Sequence, residues 1–401
     1  MKILQITASY KPAYIYGGPI FSVAKLCEEL VRVVDVEDIQ VFTTSANGHH
    51  ELELKTGPVN LIDGVSVSYF KRWTKDHSHF SPGLLLRLRR EIHSTPINNT
   101  IVHIHGWWNL VSVLSCLIAR WYKVPVVLSP RGMLTSYTFD NRNSFSKKLI
   151  QKFLGENLLK YCHIHATSEK EKEDILKIVT PKSLTIIPNL VSLLSKDSNK
   201  NRLKLSTSSD KPETLLKLIF LSRIEEKKGL ELLFEALSDI EIKYKLTIAG
   251  SGTSQYIESL KEKAKILQIE QHINWIGQVN NDDKFSLLAQ HDLMALISYN
   301  ENFANTVIES LSVGTPVLLS REVGLASYVE KNSLGWICDL DHGNIKHALL
   351  TAKFEAKKRV KIRQTAAEII RKDFDDESLI KKYLNLYNDV NQIQTCSSTV
   401  K

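Results

Sequence analysis

The run Tyr299-Asn300-Glu301-Asn302-Phe303-Ala304-Asn305-Thr306-Val307-Ile308-Glu309-Ser310 sets two carboxylates eight positions apart, directly after an apolar stretch. From Thr306 onward, Ile308, Leu311 and Val313 recur at helical spacing, and Gly314, Thr315 and Pro316 end the pattern. Glu301 is therefore expected in the loop before a helix and Glu309 on its second turn. The backbone N–H groups of Phe303, Ala304 and Asn305 would then point out of a helix N-terminus, where the peptide dipoles favour an anion such as a diphosphate. Taken alone, the two glutamates also fit a capping acid and a solvated helix residue.

A second cluster, Phe220-Leu221-Ser222-Arg223 followed by Ile224-Glu225-Glu226-Lys227-Lys228-Gly229-Leu230, sets two cations at a strand-to-helix turn. Arginine offers a phosphate a planar fork of donors, and lysine offers a point charge. By itself this is also an ordinary basic turn. His103 and His105 lie two apart on an expected strand, so they share a face, and His163 and His165 repeat the spacing. No acidic or cysteine neighbour completes a metal site, so His103, His163 and His165 read as packed or hydrogen-bonded. His105, at a strand end before Gly106, reads as a site residue. Asp339-Leu340-Asp341 spells a metal-binding D-x-D, but it follows both clusters and reads as a surface loop. No metal is expected.

These residues need strands to carry them. Residues 2–7 read as a buried strand, followed by a loop with Gly17, Gly18 and Pro19 and a helix through Ile20, Val23, Ala24, Cys27, Leu30 and Val31. Further strands are expected at Ile39–Thr43, Val65–Phe70, Ile101–His105 and Val124–Leu128, with helices near 82–93 and 110–121. The alternation restarts at Leu215–Ser222 and continues through Lys245–Ala249, Ile273–Ile276, Leu293–Ile297 and Pro316–Leu319, with Gly250-Ser251-Gly252 after the second of these. Such alternation predicts parallel sheets with helices on both faces. The expected organisation is an α/β chain of two doubly wound Rossmann-like domains facing a cleft. The first covers 1–190, a polar linker 191–213, and the second 214–375. A helix near 376–395 carries a stripe of Leu379, Ile380, Tyr383, Leu384 and Tyr387 and is expected to pack back on the first domain. Ligands of such sheets bind beyond the carboxyl ends of the strands, where every candidate above falls.

The bulk composition agrees with a folded, soluble chain. Of 401 residues, 43% are hydrophobic and 24% charged. No long apolar leader or spanning stretch is visible, and five scattered cysteines form no pair of close spacing. A cytoplasmic location with reduced thiols is expected. The net charge of +8 is concentrated: residues 1–190 hold 23 basic and 16 acidic side chains. That excess, with the cationic-apolar runs Leu84–Arg90 and Lys147–Leu154, fits an anionic membrane surface as a peripheral partner at the inner face of the plasma membrane. It equally fits amphipathic helices with lysines in water. No nucleic-acid module accompanies the charge, and nucleic acid is not an expected partner.

Together, the cationic turn, the glycine loop and the glutamate-flanked helix start resemble the donor half of glycosyltransferase family 4, whose hallmark is two glutamates with seven residues between them, preceded by Arg and Lys. Gly17-Gly18-Pro19, His103-Ile104-His105-Gly106-Trp107-Trp108-Asn109, Ser129-Pro130-Arg131-Gly132-Met133-Leu134, Ala166-Thr167-Ser168-Glu169 and Ile187-Pro188-Asn189 are similar to other parts of the same family. The resemblance implies a GT-B fold and a retaining transfer from a nucleotide-diphosphate sugar, UDP-sugars being favoured and GDP-sugars used on the same frame. It implies a lipid-linked or saccharide acceptor in lipopolysaccharide O-antigen, capsule or exopolysaccharide assembly. Arg223 and Lys228 would neutralise the leaving diphosphate. Glu309 would hold the ribose, and Glu301 the transferred sugar, assisted by N–H groups near Phe303 and Ala304. Gly17 and Gly18 would admit the phosphates, His105 would face the reacting sugar, and Arg131, Gly250 and Asn305 would contact substrate. Family members often have glycine where this chain has Ala304, and often glycine after Asn189, where it has Leu190. An epimerase or hydrolase on a similar frame, or an inactive sugar-nucleotide binder, are the competing readings.

Overall fold

Apolar runs that bury both faces become parallel strands, and the helices between them supply the cover. The computed structural model describes residues 1–33, 38–54, 58–95, 99–135, 155–194 and 215–399. Two compact units emerge, Met1–Leu190 with Asp376–Lys401, and Val191–Asp375.

In chain order the first unit contains β1 (Lys2–Thr7), β2 (Asp38–Thr44), the short antiparallel pair β3 (Ala46–Asn47) and β4 (His50–Glu51), β5 (Val59–Ile62), β6 (Val65–Phe70), β7 (Thr100–His105), β8 (Val126–Ser129), β9 (His163–Ala166) and β10 (Ser183–Ile186). Its main sheet runs β10-β9-β8-β7-β1-β2-β6-β5. Every neighbouring pair is parallel except β5 with β6. That antiparallel edge departs from the all-parallel expectation. Its cause is local: Asp63 and Gly64 both take positive φ, 49° and 84°, as a two-residue hairpin turn requires. The chain leaves β1 for β2 on one side and, after β6, returns to the other side of β1 as β7, so the loops after β1 and β7 diverge at a reversal of strand order.

The second unit contains β11 (Leu216–Leu221), β12 (Tyr244–Ala249), β13 (Ile273–Gly277), β14 (Leu293–Leu296), β15 (Val317–Ser320) and β16 (Gly335–Cys338). They are parallel throughout, in the order β13-β12-β11-β14-β15-β16. The reversal here falls between β11 and β14, which places the turn after β11 beside the loop after β14.

The helix Asp376–Thr399 buries Leu379, Ile380, Tyr383, Leu386, Tyr387 and Val390 with Ile3, Leu26, Leu30, Ile101 and Ile187 of the first unit. Each such apolar side chain contributes about 1.5–3 kcal/mol on leaving water. The helix Pro82–Ser94 buries Leu84, Leu88 and Ile92, so its apolar face is spent in the core, although Leu86 is exposed. The other cationic-apolar run, 147–154, lies outside the described residues, as does the polar linker from 195 onward. Among the described residues no helix is long and apolar enough to cross a membrane.

Candidate active site

In the second unit, β11 ends at Leu221 and the chain turns through a 3-10 helix, Glu226–Lys228, into the helix Leu230–Ser238. This turn is tied to the end of β14. Tyr299 N–H and Ser298 Oγ both donate to the Lys227 carbonyl, at 2.9 and 2.8 Å. Gly229, at φ 66°, comes so close that a Cβ there would meet the Ile297 carbonyl oxygen at 1.9 Å. Backbone contact therefore fixes the distance between the cationic turn and the glutamate loop. Across it, Lys228 Nζ donates to a Glu301 carboxylate oxygen, although the two lie 73 positions apart in sequence. Lys228 is only 5% exposed. Arg223 sits on the outer side of the same turn, 43% exposed in its side chain and paired with Glu225 at 2.7 Å. Ile224 N–H donates to the Ser251 carbonyl at 2.7 Å, so the 250–252 loop lies beneath Arg223. Gly250 takes φ 146°, and a Cβ there would meet the Ser222 carbonyl oxygen at 1.8 Å.

Glu301 is itself anchored by its backbone. Its N–H donates to the Glu322 carbonyl at 3.2 Å, and its carbonyl accepts from Gly324 N–H at 2.7 Å. The helix Asn305–Ser312 begins one residue earlier than the apolar spacing predicts, with Ala304 as its N-cap. Ala304 adopts φ 65° and ψ 78°, the left-handed conformation that costs an L-residue roughly 1–2 kcal/mol. Phe303 is buried with Phe374, 6.1 Å between ring centroids, and props the loop from below. Glu309, 7% exposed, accepts from Lys284 Nζ at 2.7 Å. The sequence reading missed Lys284, because nothing in its local spacing marks it as Glu309's partner.

The first unit gathers a different set. Gly17 caps the helix Gly18–Val31 at φ 71°, while Gly18 has open space where a Cβ would lie. His105, last residue of β7, is 4% exposed. Arg131 donates to its Nδ1 at 3.3–3.4 Å, and its Nε2 faces Gln5 Oε1 at 2.7 Å. A guanidinium can only donate, so Nδ1 is the acceptor and the imidazole proton sits on Nε2. The ring is therefore held by both nitrogens within its own unit. Arg131 also donates to Ser22 Oγ at 2.9 Å and Asn189 Oδ1 at 3.0 Å. Its backbone is set by a buried carboxylate: Glu171 accepts from Gly132 N–H at 2.7 Å and from Thr167 N–H and Oγ1 at 2.7 and 2.8 Å. Glu171 went unnoticed in the sequence, although Ser168-x-x-Glu171 is a capping-box signature, and Ser168 Oγ does accept from Glu171 N–H.

Burial and the nearby Arg131 charge hold His105 well below the ordinary imidazole range, and burial lowers His103 likewise and His165 to about 3. All three are neutral at pH 7. Asp341 of the D-x-D caps the helix His342–Phe354 by accepting from Asn344 N–H at 2.9 Å, and Asp339 pairs with Arg321 at 3.1 Å. Among the described residues no group of three or more His, Cys, Asp or Glu is arranged to hold a metal ion. Cys27, Cys116, Cys162 and Cys338 are free and buried.

Comparison with known proteins follows the same division. The pattern described as Glycosyltransferase Family 4 matches residues 16–193. That described as Glycosyl transferases group 1 matches residues 201–369. An uncharacterised glycosyltransferase of Methanocaldococcus jannaschii is 22% identical over 410 residues, spanning 96% of this chain and 98% of its own length. Alpha-monoglucosyldiacylglycerol synthase of Streptococcus pneumoniae is 26% identical over 369 residues, spanning 87% of this chain and 78% of its own. Among solved structures, Anabaena HepE in complex with UDP and glucose matches with a TM-score of 0.72 at 17% identity, over 97% of this chain and 100% of that one. With a family 4 pattern ahead of a group 1 pattern, a Rossmann-like α/β sheet in each unit and a GT-B structural relative matching over 97% of its length, this chain belongs to the GT-B glycosyltransferases.

Proposed function

We propose that this glycosyltransferase moves a sugar from a UDP-sugar to a lipid-linked or saccharide acceptor, with retention of anomeric configuration and without a metal ion. The observation that carries the reading is the Lys228–Glu301 contact at the strand-order reversal of the second sheet. It sets a cation for the leaving diphosphate against a carboxylate for the sugar's hydroxyls, beside the start of the helix Asn305–Ser312. Arg223, more exposed, adds a second cation on the same turn. Preorganised charges of this kind stabilise the negative charge that develops on the departing phosphate. Glu309 would bind the ribose hydroxyls, with Lys284 fixing its orientation. The HepE likeness favours UDP over GDP, and the likeness to a glycolipid synthase favours a lipid-linked acceptor.

Retention is supported by what His105 lacks. An inverting reaction needs a base to take the acceptor's proton opposite the leaving group. Here Nδ1 accepts from Arg131, and Nε2 carries the ring's proton toward Gln5. In a retaining reaction the departing phosphate oxygen can take that proton itself, on the same face as the incoming hydroxyl. Arg131, His105 and the Gly17-Gly18 loop are assigned here to substrate positioning. Attachment to an anionic membrane surface is a further expectation from the charge of residues 1–190. The test is to incubate the protein with a panel of UDP- and GDP-sugars, with and without a lipid-linked acceptor. Acceptor-dependent release of UDP is expected, with the donor's anomeric configuration kept in the product. Donor conversion at the same rate without acceptor would favour the epimerase or hydrolase reading.

A further inference from the structure

His105 and Arg131 are the near end of a longer arrangement. His105 Nε2–H donates to Gln5 Oε1, which leaves the Gln5 amide nitrogen turned toward Tyr387 OH at 3.4 Å. Reversing the amide would require His105 to accept at Nε2 and carry its proton on Nδ1, against the Arg131 donor. Tyr387 OH thus accepts from Gln5 and donates to His103 Nδ1 at 2.8 Å. His103 Nε2–H then donates to Ser129 Oγ at 2.7 Å, and Ser129 donates to His165 Nδ1 at 2.7 Å. His165 Nε2–H ends the series on the Ile187 carbonyl at 2.7 Å, with Tyr383 OH at 3.2 Å from the same nitrogen. One terminus is an obligate donor and the other an obligate acceptor, and every link between them points the same way. Burial keeps all three imidazoles neutral, which the sequence of donors also requires.

We propose that Tyr387, on the C-terminal helix Asp376–Thr399, is a positioning residue whose hydroxyl completes a one-directional hydrogen-bond relay that holds Gln5 and, through it, the orientation of His105 and the aim of Arg131. Its importance to sugar transfer rests on the substrate role assigned above to those two residues; the relay itself does not. No member can rotate or exchange tautomer without leaving a buried neighbour unsatisfied. The C-terminal helix is in this way chemically joined to strand ends far from it in sequence, beyond its apolar packing on Ile3, Leu26 and Ile101.

The experiment is long-range ¹H–¹⁵N correlation of the imidazoles in the full chain at pH 7, with steady-state kinetics on the same samples. The expected spectrum shows His103, His105 and His165 neutral, each with its proton on Nε2. Tyr387→Phe removes one hydroxyl and should fold; it is expected to move the His103 and His105 resonances and lower kcat roughly tenfold with donor KM little changed. Ser129→Ala should act in the same direction and Ser129→Thr should restore the wild-type values. An Nδ1–H tautomer at His103 or His105 in the wild-type protein would overturn the relay. Resonances shifted in Tyr387→Phe with kcat unchanged would overturn the positioning role while leaving the donor-site assignment of the second unit untouched.

Discussion

The two units solve the problem of holding polar groups in opposite ways. In the second unit the side chains at the strand-order reversal are charged and meet as pairs, Lys228 with Glu301, Lys284 with Glu309, Arg223 with Glu225. In the first unit they are mostly neutral and meet as a series, with Arg131 as the charged terminus. Charge pairs suit a site that must accept an anion and answer a change in its charge, since each partner retains its attraction for a ligand. A neutral series suits shape, because its strength lies in having every donor committed. Substitution in the second unit should therefore alter the chemistry of the leaving group, and substitution in the first unit geometry and stability.

The largest effect is expected at the charge pairs. Lys228→Ala should reduce turnover roughly 10²–10³-fold while the protein still melts cooperatively. Arg223→Ala should cost less, because that side chain is 43% exposed and its charge is screened by solvent. Steady-state kinetics on both variants check the order; equal and near-normal turnover in the two would break the contrast. Lys284→Ala should act on binding and not on chemistry. Glu309 loses its partner, and donor KM should rise roughly tenfold, the scale of one charge-assisted hydrogen bond, at nearly constant kcat.

The neutral series makes its own prediction in pH. His103, His105 and His165 have folded-state pKa values below that of the unfolded chain, so the unfolded state binds more protons as pH falls. The stability they contribute is fully present above about pH 6.5 and is lost as pH drops toward their folded values, at about 1.4 kcal/mol per pH unit for each histidine. Thermal melts should show Tm falling between pH 7 and 5 with little change from 7 to 8.5; a flat profile would contradict neutral burial.

Much of this architecture was legible in the sequence, and the reasons for the gaps are physical. Strand ends such as His105 and Leu221 follow from apolar runs, and the helix start after Phe303 follows from periodicity. The β5–β6 edge rests on the Asp63-Gly64 turn, a two-residue signal that the strand-helix alternation around it hides. His163–Ala166 and Ser183–Ile186 are strands too short and too polar to stand out. In the sequence Tyr383 and Tyr387 form part of an apolar stripe; their hydroxyls acquire partners only when the C-terminal helix meets β7 and β9. Likewise, the Lys228–Glu301 contact exists because β11 lies beside β14, a fact of strand order that no local spacing carries. Ala304 shows the converse: the sequence flagged it as a departure from glycine, and the structure puts it at φ 65°. Ala304→Gly should therefore raise stability by about 0.5–1 kcal/mol, read from chemical denaturation, with activity little altered.

On this reading the second unit holds a nucleotide diphosphate through Lys228, with no metal taking part. Isothermal titration of UDP and of UMP into the wild-type protein and Lys228→Ala, each in EDTA, tests it most directly. Wild type is expected to bind UDP roughly a hundredfold more tightly than UMP, and Lys228→Ala to lose most of this gap while its UMP affinity is unchanged. An undiminished gap in Lys228→Ala, or UDP binding that vanishes in EDTA and returns with Mg²⁺ or Mn²⁺, would contradict it.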